Sequence, residues 1–176
     1  VGRVGIETLS EQTLALIGQR ETSEPEPVGG PVAFASVPHG GREDSDKGGA
    51  APAEAELSAS LHRLLGGEVA VASSSVFVPS FAGQGGTLWV ETERPLSPGQ
   101  AARVLAGSPG IDVVDADEET TTRDVVGLDE VRVGRLRADP AAADPGHQLM
   151  FWLAGDPVRL AASNAVKLLR KRLALA

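Results

Sequence analysis

Short β-like runs occur in groups along this chain and do not alternate regularly with helical segments. Six runs rich in Val, Leu, Ile and Ala are separated by turn residues, and four other stretches have helical periodicity. Regular alternation would indicate parallel βαβ units. Clustered strands instead predict an α+β fold with a mixed, largely antiparallel sheet of about six strands. Since no repeat and no second apolar core is evident, residues 1–176 are predicted to be a single domain.

Helix boundaries follow from caps and from apolar spacing. Pro52 suits the first turn of a helix because its missing N–H would be unpaired there, and Ser97-Pro98 is a cap followed by a first turn. The helix from Pro52 is expected to bury a stripe of four leucines, Leu57, Leu61, Leu64 and Leu65. The predicted helices are Val4 to Ile17, one from Pro52 to about Leu65, one from Pro98 to about Leu105, and Val158 to Leu175.

The strand predictions rest on runs of β-forming residues bounded by glycine, proline and polar residues. The runs are Val32 to Val37, Glu68 to Val78, Thr87 to Thr92, Ile111 to Asp115, Glu130 to Arg137 and Gln148 to Leu153.

Composition excludes several classes of function. The net charge of −8 opposes binding to nucleic-acid phosphates, and the sequence has no cysteine for disulfides, thiolate metal sites or a thiol nucleophile. No apolar run approaches the roughly 20 residues that span a bilayer, and no signal-peptide pattern opens the chain. We therefore predict a cytoplasmic protein without nucleic-acid or membrane partners. Because it begins at Val1, we expect a processed chain or a piece of a longer one.

Gly83-Gln84-Gly85-Gly86 has two interpretations. It could hold a phosphate, but a dinucleotide-binding loop needs a strand before it and a helix after it, and here a β-like run follows. A tight turn between strands is the favoured interpretation.

Other polar residues favour structural roles. The spacing of the histidines does not predict a metal site, and the serines 73–75 lack the GxSxG setting of a nucleophile. The acidic cluster resembles a solvated strand end more than a cation site, and the basic residues near the C-terminus suit the end of a helix. The sets are His39, His62 and His147; Asp112, Asp115, Asp117, Glu118 and Glu119; and Lys167, Arg170, Lys171 and Arg172.

Two stretches resemble the C-terminal domain of aspartate-semialdehyde dehydrogenases. Asp129 to Asp139 (DEVRVGRLRAD) is similar to the family's strand, and Gly155 to Val166 (GDPVRLAASNAV) is similar to its turn and following helix. Three further segments agree in the same order, so the resemblance covers nearly all of the chain. They are GRVGIETLSEQT with Gln12 and Thr13, Val32 to Pro38, and Val78 to Gln84 (VPSFAGQ).

The resemblance implies a dimer-forming, substrate-side domain with helices on one face of its sheet. The C-terminal domain of glyceraldehyde-phosphate dehydrogenases has a similar fold. In such enzymes a separate N-terminal domain binds NADP or NAD and carries the catalytic cysteine. That domain would be absent from this chain, so the chain itself is expected to hold no cofactor or metal. The implied partners are a second copy and the N-terminal domain of a parent protein.

Several positions that serve chemistry in the family carry other residues here. The resemblance places the family's histidine base on Gln84, its substrate-binding arginine on Phe77 and its helix lysine on Glu56. The glutamate of the family's Glu-Thr-x-Lys-Ile pattern falls on Ser60. The family's asparagine that is expected near the nicotinamide falls on Pro157, next to Asp156. The Gln84 amide cannot take up a proton near neutral pH. Since the other positions also lack the family's side chains, we expect none of them to be catalytically functional.

The matching residues are read as scaffold, although Arg135 or Arg137 could hold an anion. They are Pro79, Gly83, Gly134, Arg135, Arg137, Asp156, Arg159 and Asn164.

Three hypotheses remain open from the sequence. The leading one is a dimerising domain that has lost the family's activity. The second is part of an active NAD(P)-dependent oxidoreductase whose substrate lacks the amino-acid carboxylate, which would suit Phe77 and Gln84. The third is a protein-interaction module without catalysis.

Overall fold

A computed structural model describes residues 3–21, 31–38, 49–144 and 146–173. His39 lies outside these ranges. The elements in chain order are α1 (Arg3–Ile17), β1 (Val37–Pro38), α2 (Pro52–Leu64), β2 (Val76–Phe77), β3 (Gln84–Glu91), α3 (Pro98–Ala106), β4 (Ile111–Val113), β5 (Val131–Ala138), β6 (Gln148–Gly155) and α4 (Pro157–Arg172).

The chain divides into two compact units, Val1–Phe81 and Ala82–Ala176. The predicted α+β class with mixed strand pairing is confirmed. The expected single sheet of about six strands is wrong, because the six strands form two sheets. One pairs β1 with β2, and the other has the order β3-β6-β5-β4.

The four-stranded sheet is built on an eight-residue antiparallel ladder. β3 pairs with β6 from Gln84↔Gly155 to Glu91↔Gln148. On its other side β6 pairs antiparallel with β5, and β5 pairs parallel with β4. β5 is irregular between Gly134 and Arg137, where Arg135 has a φ of 54° in the left-handed region. β6 and β5 each have a neighbour on both sides, so they are the two central strands of this sheet.

Two predicted strands are mostly absent, and in each of them a side chain accepts one or two backbone N–H groups. In Val32 to Val37, the buried Gln12 oxygen accepts the N–H groups of Val32 and Ala33 at 2.7 and 3.0 Å, so only Val37 enters a strand. In Glu68 to Val78, the Glu54 carboxylate accepts the Ser75 N–H at 2.5 Å. Only Val76–Phe77 is a strand there. Each side chain replaces a strand neighbour.

The predicted helices are confirmed within a few residues, but the leucine stripe of α2 is wrong. No residue of α2 is buried, and Leu57 is 51% exposed and Leu64 82% exposed. The helix is instead fixed at its N-terminus, where Glu54 accepts the Ala51 N–H at 2.8 Å as well as that of Ser75. Within the described residues no helix is long and apolar enough to cross a membrane.

The sequence favoured a tight turn between strands at residues 83–86, but only Gly83 lies outside β3. Gln84, Gly85 and Gly86 belong to the strand. A Cβ on Gly85 would meet the Trp152 ring, with Cη2 at 2.7 Å. Gly83 has a φ of +78°, and a Cβ there would overlap the carbonyl oxygen of Thr122. The absence of a side chain therefore lets the Trp152 ring pack against Gly85 and the Thr122 backbone pack against Gly83.

Gly83→Ala should lower the free energy of unfolding by about 3 kcal/mol, because it combines left-handed backbone strain with a clash against rigid backbone. Gly86→Ala is the matched control. Its φ is not in the left-handed region and no atom lies within 4 Å of its added Cβ, so it should change stability by less than about 1 kcal/mol. Urea unfolding of both variants measures the difference, and equal losses would contradict the assignment.

Candidate functional site

Gln84 lies at the end of the sheet where β6 passes into α4. It is the first residue of β3, its side chain is exposed, and it pairs with Gly155. Strand side chains alternate between faces, so Gln84 lies on the face opposite that of Gly85. On the Gln84 face, a Cβ on Gly155 would lie 2.7 Å from Leu160 Cδ1 of α4. This sheet end therefore brings together Gln84, Gly155 and the start of α4.

Asp156 caps α4 and also binds the Gly127 loop. Its carboxylate accepts the N–H groups of Val158 and Arg159 at 2.9 and 3.1 Å, and that of Gly127 at 2.9 Å. The bond from Gly127, followed by that from Arg159, lowers the pKa of Asp156 below its ordinary value. An ionised carboxylate held by three donors stabilises the helix start, and it is a poor proton acceptor.

The other charged groups beside Gln84 are paired or structural. Arg159 Nε lies 2.7 Å from Asp129 Oδ1, and its Nη2 donates to Oδ2 at 3.2 Å. Pro157 occupies the first helical turn and has neither a backbone N–H nor a polar side chain. The Arg159 guanidinium near this sheet end is thus already paired with the Asp129 carboxylate of the same unit.

The first unit holds the other positions that the resemblance singles out. Phe77 is half-buried in β2, opposite Val37. Glu56 is exposed on α2, and Ser60 accepts a bond from Arg63 at 3.1 Å one turn further on. None of the three assigned roles is tested by these contacts, so each stays a prediction.

The histidines of the described ranges make structural contacts, as their spacing indicated. His62 Nδ1 lies 3.1 Å from the Val69 carbonyl oxygen. His147 Nδ1 lies 2.7 Å from the Thr92 carbonyl oxygen, beyond the Glu91↔Gln148 end of the ladder. Gln84 is at the opposite end, about 23 Å away for an eight-residue strand. His147 is therefore not at the site around Gln84.

The serine and acidic clusters also have structural partners. Ser73 bonds to Ser58 and to the Glu54 carbonyl, both at 2.8 Å, and the Ser75 hydroxyl bonds to the Glu54 carboxylate. N–H groups of Ala51 and Ser75 lower the pKa of Glu54.

In the acidic cluster, Arg132 pairs with Asp112 at 3.0 Å and with Glu118 at 3.3 Å. Within the described part of the chain, no three side chains are grouped to hold a metal ion. The basic residues Arg170, Lys171 and Arg172 lie in the last turn of α4, as expected.

A hollow of about 260 Å³ was not indicated by the sequence. It is open, and it lies on the sheet face that carries Trp152, opposite to that of Gln84. The Thr120 hydroxyl oxygen and Trp152 Nε1 are buried and have no hydrogen-bond partner among the described residues. Strand alternation alone indicates which face of the sheet Trp152 lies on. No local sequence pattern indicates that the loop of residues 118–121 lies next to it. Its walls are Glu118, Glu119, Thr120, Thr121, Gly134, Arg135 and Trp152.

Solved structures define the class of protein that has this fold. A probable aspartate-semialdehyde dehydrogenase from Pseudomonas aeruginosa matches with a TM-score of 0.85 and 29% identity, covering 98% of this chain and 51% of that one. Aspartate semialdehyde dehydrogenase II from Vibrio cholerae, complexed with ASA, matches with a TM-score of 0.83 and 28% identity, over 94% of this chain and 48% of that one.

Sequence comparison then gives the family. The family model described as "Semialdehyde dehydrogenase, dimerisation domain" matches residues 1–160. The chain belongs to this family. It is 31% identical over 172 residues to the aspartate-semialdehyde dehydrogenase of Aquifex aeolicus, and 32% identical over 171 residues to a "USG-1 protein homolog" of Pseudomonas aeruginosa. These matches cover 95% and 96% of the chain, which spans about half the length of each relative (49%).

The lowered pKa of Asp156 predicts a stability that falls with acid. A carboxyl whose pKa is lower in the folded state stabilises the fold above its unfolded pKa, which is near 3.8. That contribution is lost as the pH falls through the folded pKa. We expect Asp156→Asn to melt at a lower temperature than the wild type near pH 6, and the difference to shrink below about pH 3. Melting curves across this range test it; a difference that is independent of pH would contradict the assignment.

Proposed function

We propose that this chain is the dimerising, substrate-side domain of a semialdehyde dehydrogenase-like protein that does not carry out the family's reaction. The observation that carries the proposal is the end of the β3–β6 ladder. There the position that resembles the family's base is an amide, and the neighbouring charged groups, Asp156, Arg159 and Asp129, already bond to one another or to backbone.

Loss of the base has a definite size. A positioned general acid–base group contributes about 10²–10⁴-fold to the rate, or roughly 3–5 kcal/mol of barrier. Gln84 can hydrogen-bond to a reacting group but cannot receive its proton. Asp156 does not replace the base, because its oxygens accept three N–H groups and its pKa is lowered.

The two positions expected near a nicotinamide do not offer what a dinucleotide would need from this chain. Pro157 has no amide or hydroxyl to present, and the Asp156 carboxylate is occupied by backbone donors. These two residues therefore supply no group to a reaction step on NADP or NAD. Any dinucleotide would depend on the N-terminal domain of a parent protein.

Substitutions in the first unit point in the same direction. If Phe77 stands where an arginine binds the substrate carboxylate, the two-pronged bond to that carboxylate is lost. A glutamate at position 56 would repel a phosphate rather than attract it, and Ser60 replaces a further charge. We propose that Phe77, Glu56 and Ser60 have no catalytic roles. We also propose that residues 1–176 function as one domain and that the protein is cytoplasmic.

A different substrate is the competing function, and the residue types favour it at one point. A neutral Gln84 and an apolar Phe77 would tolerate an aldehyde without the amino-acid carboxylate. The nucleophile position in the parent's other half distinguishes the two. A cysteine there would support an active oxidoreductase, whereas Gly, Ser or Ala would support a protein without the reaction.

The activity prediction concerns the full-length parent protein. With aspartate β-semialdehyde, phosphate and NADP, we expect no formation of NADPH above the enzyme-free rate. Gln84→Ala should behave in the same way as the wild type. Absorbance at the nicotinamide band measures the rate, and an active dehydrogenase of the family serves as the positive control. Activity in the wild type that Gln84→Ala abolishes would reject the proposal.

Dimerisation is proposed from membership of the dimerisation-domain family. We expect the chain to behave as a homodimer in light scattering at micromolar concentration. Adding an active paralogue should leave its mass unchanged. A chain that is monomeric at high micromolar concentration would contradict the dimer, and a mixed species with the paralogue would favour the interaction module.

A further inference from the structure

The loop of residues 121–129 contacts both segments that meet at the candidate site. Its Thr122 backbone lies so close to Gly83, the residue just before β3, that an added Cβ there would overlap the Thr122 carbonyl oxygen. Further along the same loop, the Gly127 N–H donates to the Asp156 carboxylate at 2.9 Å, at the start of α4. The loop therefore touches the beginning of β3 and the beginning of α4. We call residues 121–129 the bracing loop.

The bracing loop is closed on itself by one carboxylate. Asp124 Oδ2 accepts the Thr121 N–H at 2.8 Å and the Thr121 hydroxyl at 2.7 Å. These two bonds, that of the hydroxyl first, lower the pKa of Asp124. Thr122 lies between the two bonded residues, so the closed turn fixes the carbonyl that packs against the start of β3. Val125, the residue after Asp124, is fully buried and anchors the loop.

A second attachment joins the same loop to α4. The Asp129 carboxylate lies at the end of the loop and pairs with two nitrogens of the Arg159 guanidinium, with Nε at 2.7 Å and Nη2 at 3.2 Å. Asp156 and Arg159 belong to the cap and the first turn of α4. Two points at the helix start are thus tied to two points on one loop. Two attachments restrict rotation, whereas a single one would act as a hinge.

The start of β3 needs such support because its sequence is flexible. Gln84 is the first residue of the strand, and Gly83, Gly85 and Gly86 surround it. Glycine loses more conformational freedom on folding than any other residue, and the ends of elements open more readily than their centres. The Gln84–Gly155 pair would therefore be the easiest part of the ladder to open without an outside contact.

We propose that the bracing loop is the positioning element of the candidate site. It holds the backbone at position 84 and the first turn of α4 in one fixed relation, and Asp124 keeps it closed. The contacts that do this use the Gly83 backbone and the side chains of Asp156 and Arg159. They do not use the side chain at position 84. The inference thus goes beyond the proposed loss of the reaction and is independent of it.

Amide hydrogen exchange of the 176-residue chain, followed by NMR, tests this positioning. The Thr92 N–H donates to the His147 carbonyl beyond the far end of the ladder, and hydrogen-bonded pairs alternate along antiparallel strands. The N–H groups of Gln84 and Val90 are therefore both ladder donors, one near each end. The ratio of their exchange rates separates opening at the site from a general loss of stability, which raises both rates together.

Asp124→Ala should raise the ratio of the Gln84 rate to the Val90 rate about tenfold, because the loop loses its hydrogen bonds to a charged group. Asp124→Asn should keep most of the wild-type ratio, since its side-chain oxygen can still accept the Thr121 N–H. Glu119→Ala is the matched control. It removes the same charge from an exposed position just before the loop, and it should leave the ratio unchanged.

Two further variants keep the test decisive if Asp124→Ala does not fold. Asp129→Ala removes the exposed pair with Arg159 and should raise the ratio about threefold. Gln84→His should leave the ratio unchanged after correction for intrinsic exchange. A ratio that stays the same in Asp129→Ala and Asp124→Ala, or that rises in Gln84→His, would overturn the positioning role. Equal increases at both ladder ends would overturn it too. NADPH formation by the parent protein would overturn only the proposed loss of the reaction.

Discussion

The antiparallel ladder between β3 and β6 is the interaction on which the second unit depends. Eight residue pairs fix the register of the two strands, and a slip by one residue would move every side chain to the other face. The register places Gln84 opposite Gly155 at one end, and the Thr92 and His147 backbone bond extends it at the other. Gly83 and Gly85 keep the strand close to Thr122 and to Trp152. The position of Gln84 beside Gly155 and the position of Trp152 at the hollow are both consequences of this one pairing.

Much of the secondary structure could be predicted because its signals are local. Ser97-Pro98 marks the start of α3, where the Ser97 hydroxyl oxygen accepts the Gln100 N–H at 3.3 Å and Gln100 Oε1 accepts the Ser97 N–H at 2.9 Å. The long β-like runs that became β3, β5 and β6 have neighbours that supply ladder bonds. Helix caps, the helical spacing of apolar residues and long β-like runs can each be recognised within a short stretch of sequence.

The two missing strands involve hydrogen bonds between residues distant in sequence. Val32 and Ala33 have strand-like side chains, but Gln12, about 20 residues earlier, takes both of their N–H groups. Glu54 does the same for Ser75, 21 residues later. Apolar composition does not reveal such bonds. The site shows the same limit, because the resemblance picked out Gln84 and Asp156, whereas the bond from Gly127 and the pairing of Arg159 with Asp129 needed the folded chain.

Alternation along β3 separates the chemistry at the sheet end from the opposite face of the sheet. Gln84, Gly86 and Leu88 lie on one face, and Gly85, Thr87 and Trp89 on the other. A substitution at Gln84 alters the proton chemistry at the sheet end, whereas the hollow beside Trp152 lies on the opposite face. The backbone that holds Gln84 is fixed by Gly83 and by the ladder, neither of which depends on the side chain at position 84. The proposed loss of the base therefore leaves the register of the ladder as it is.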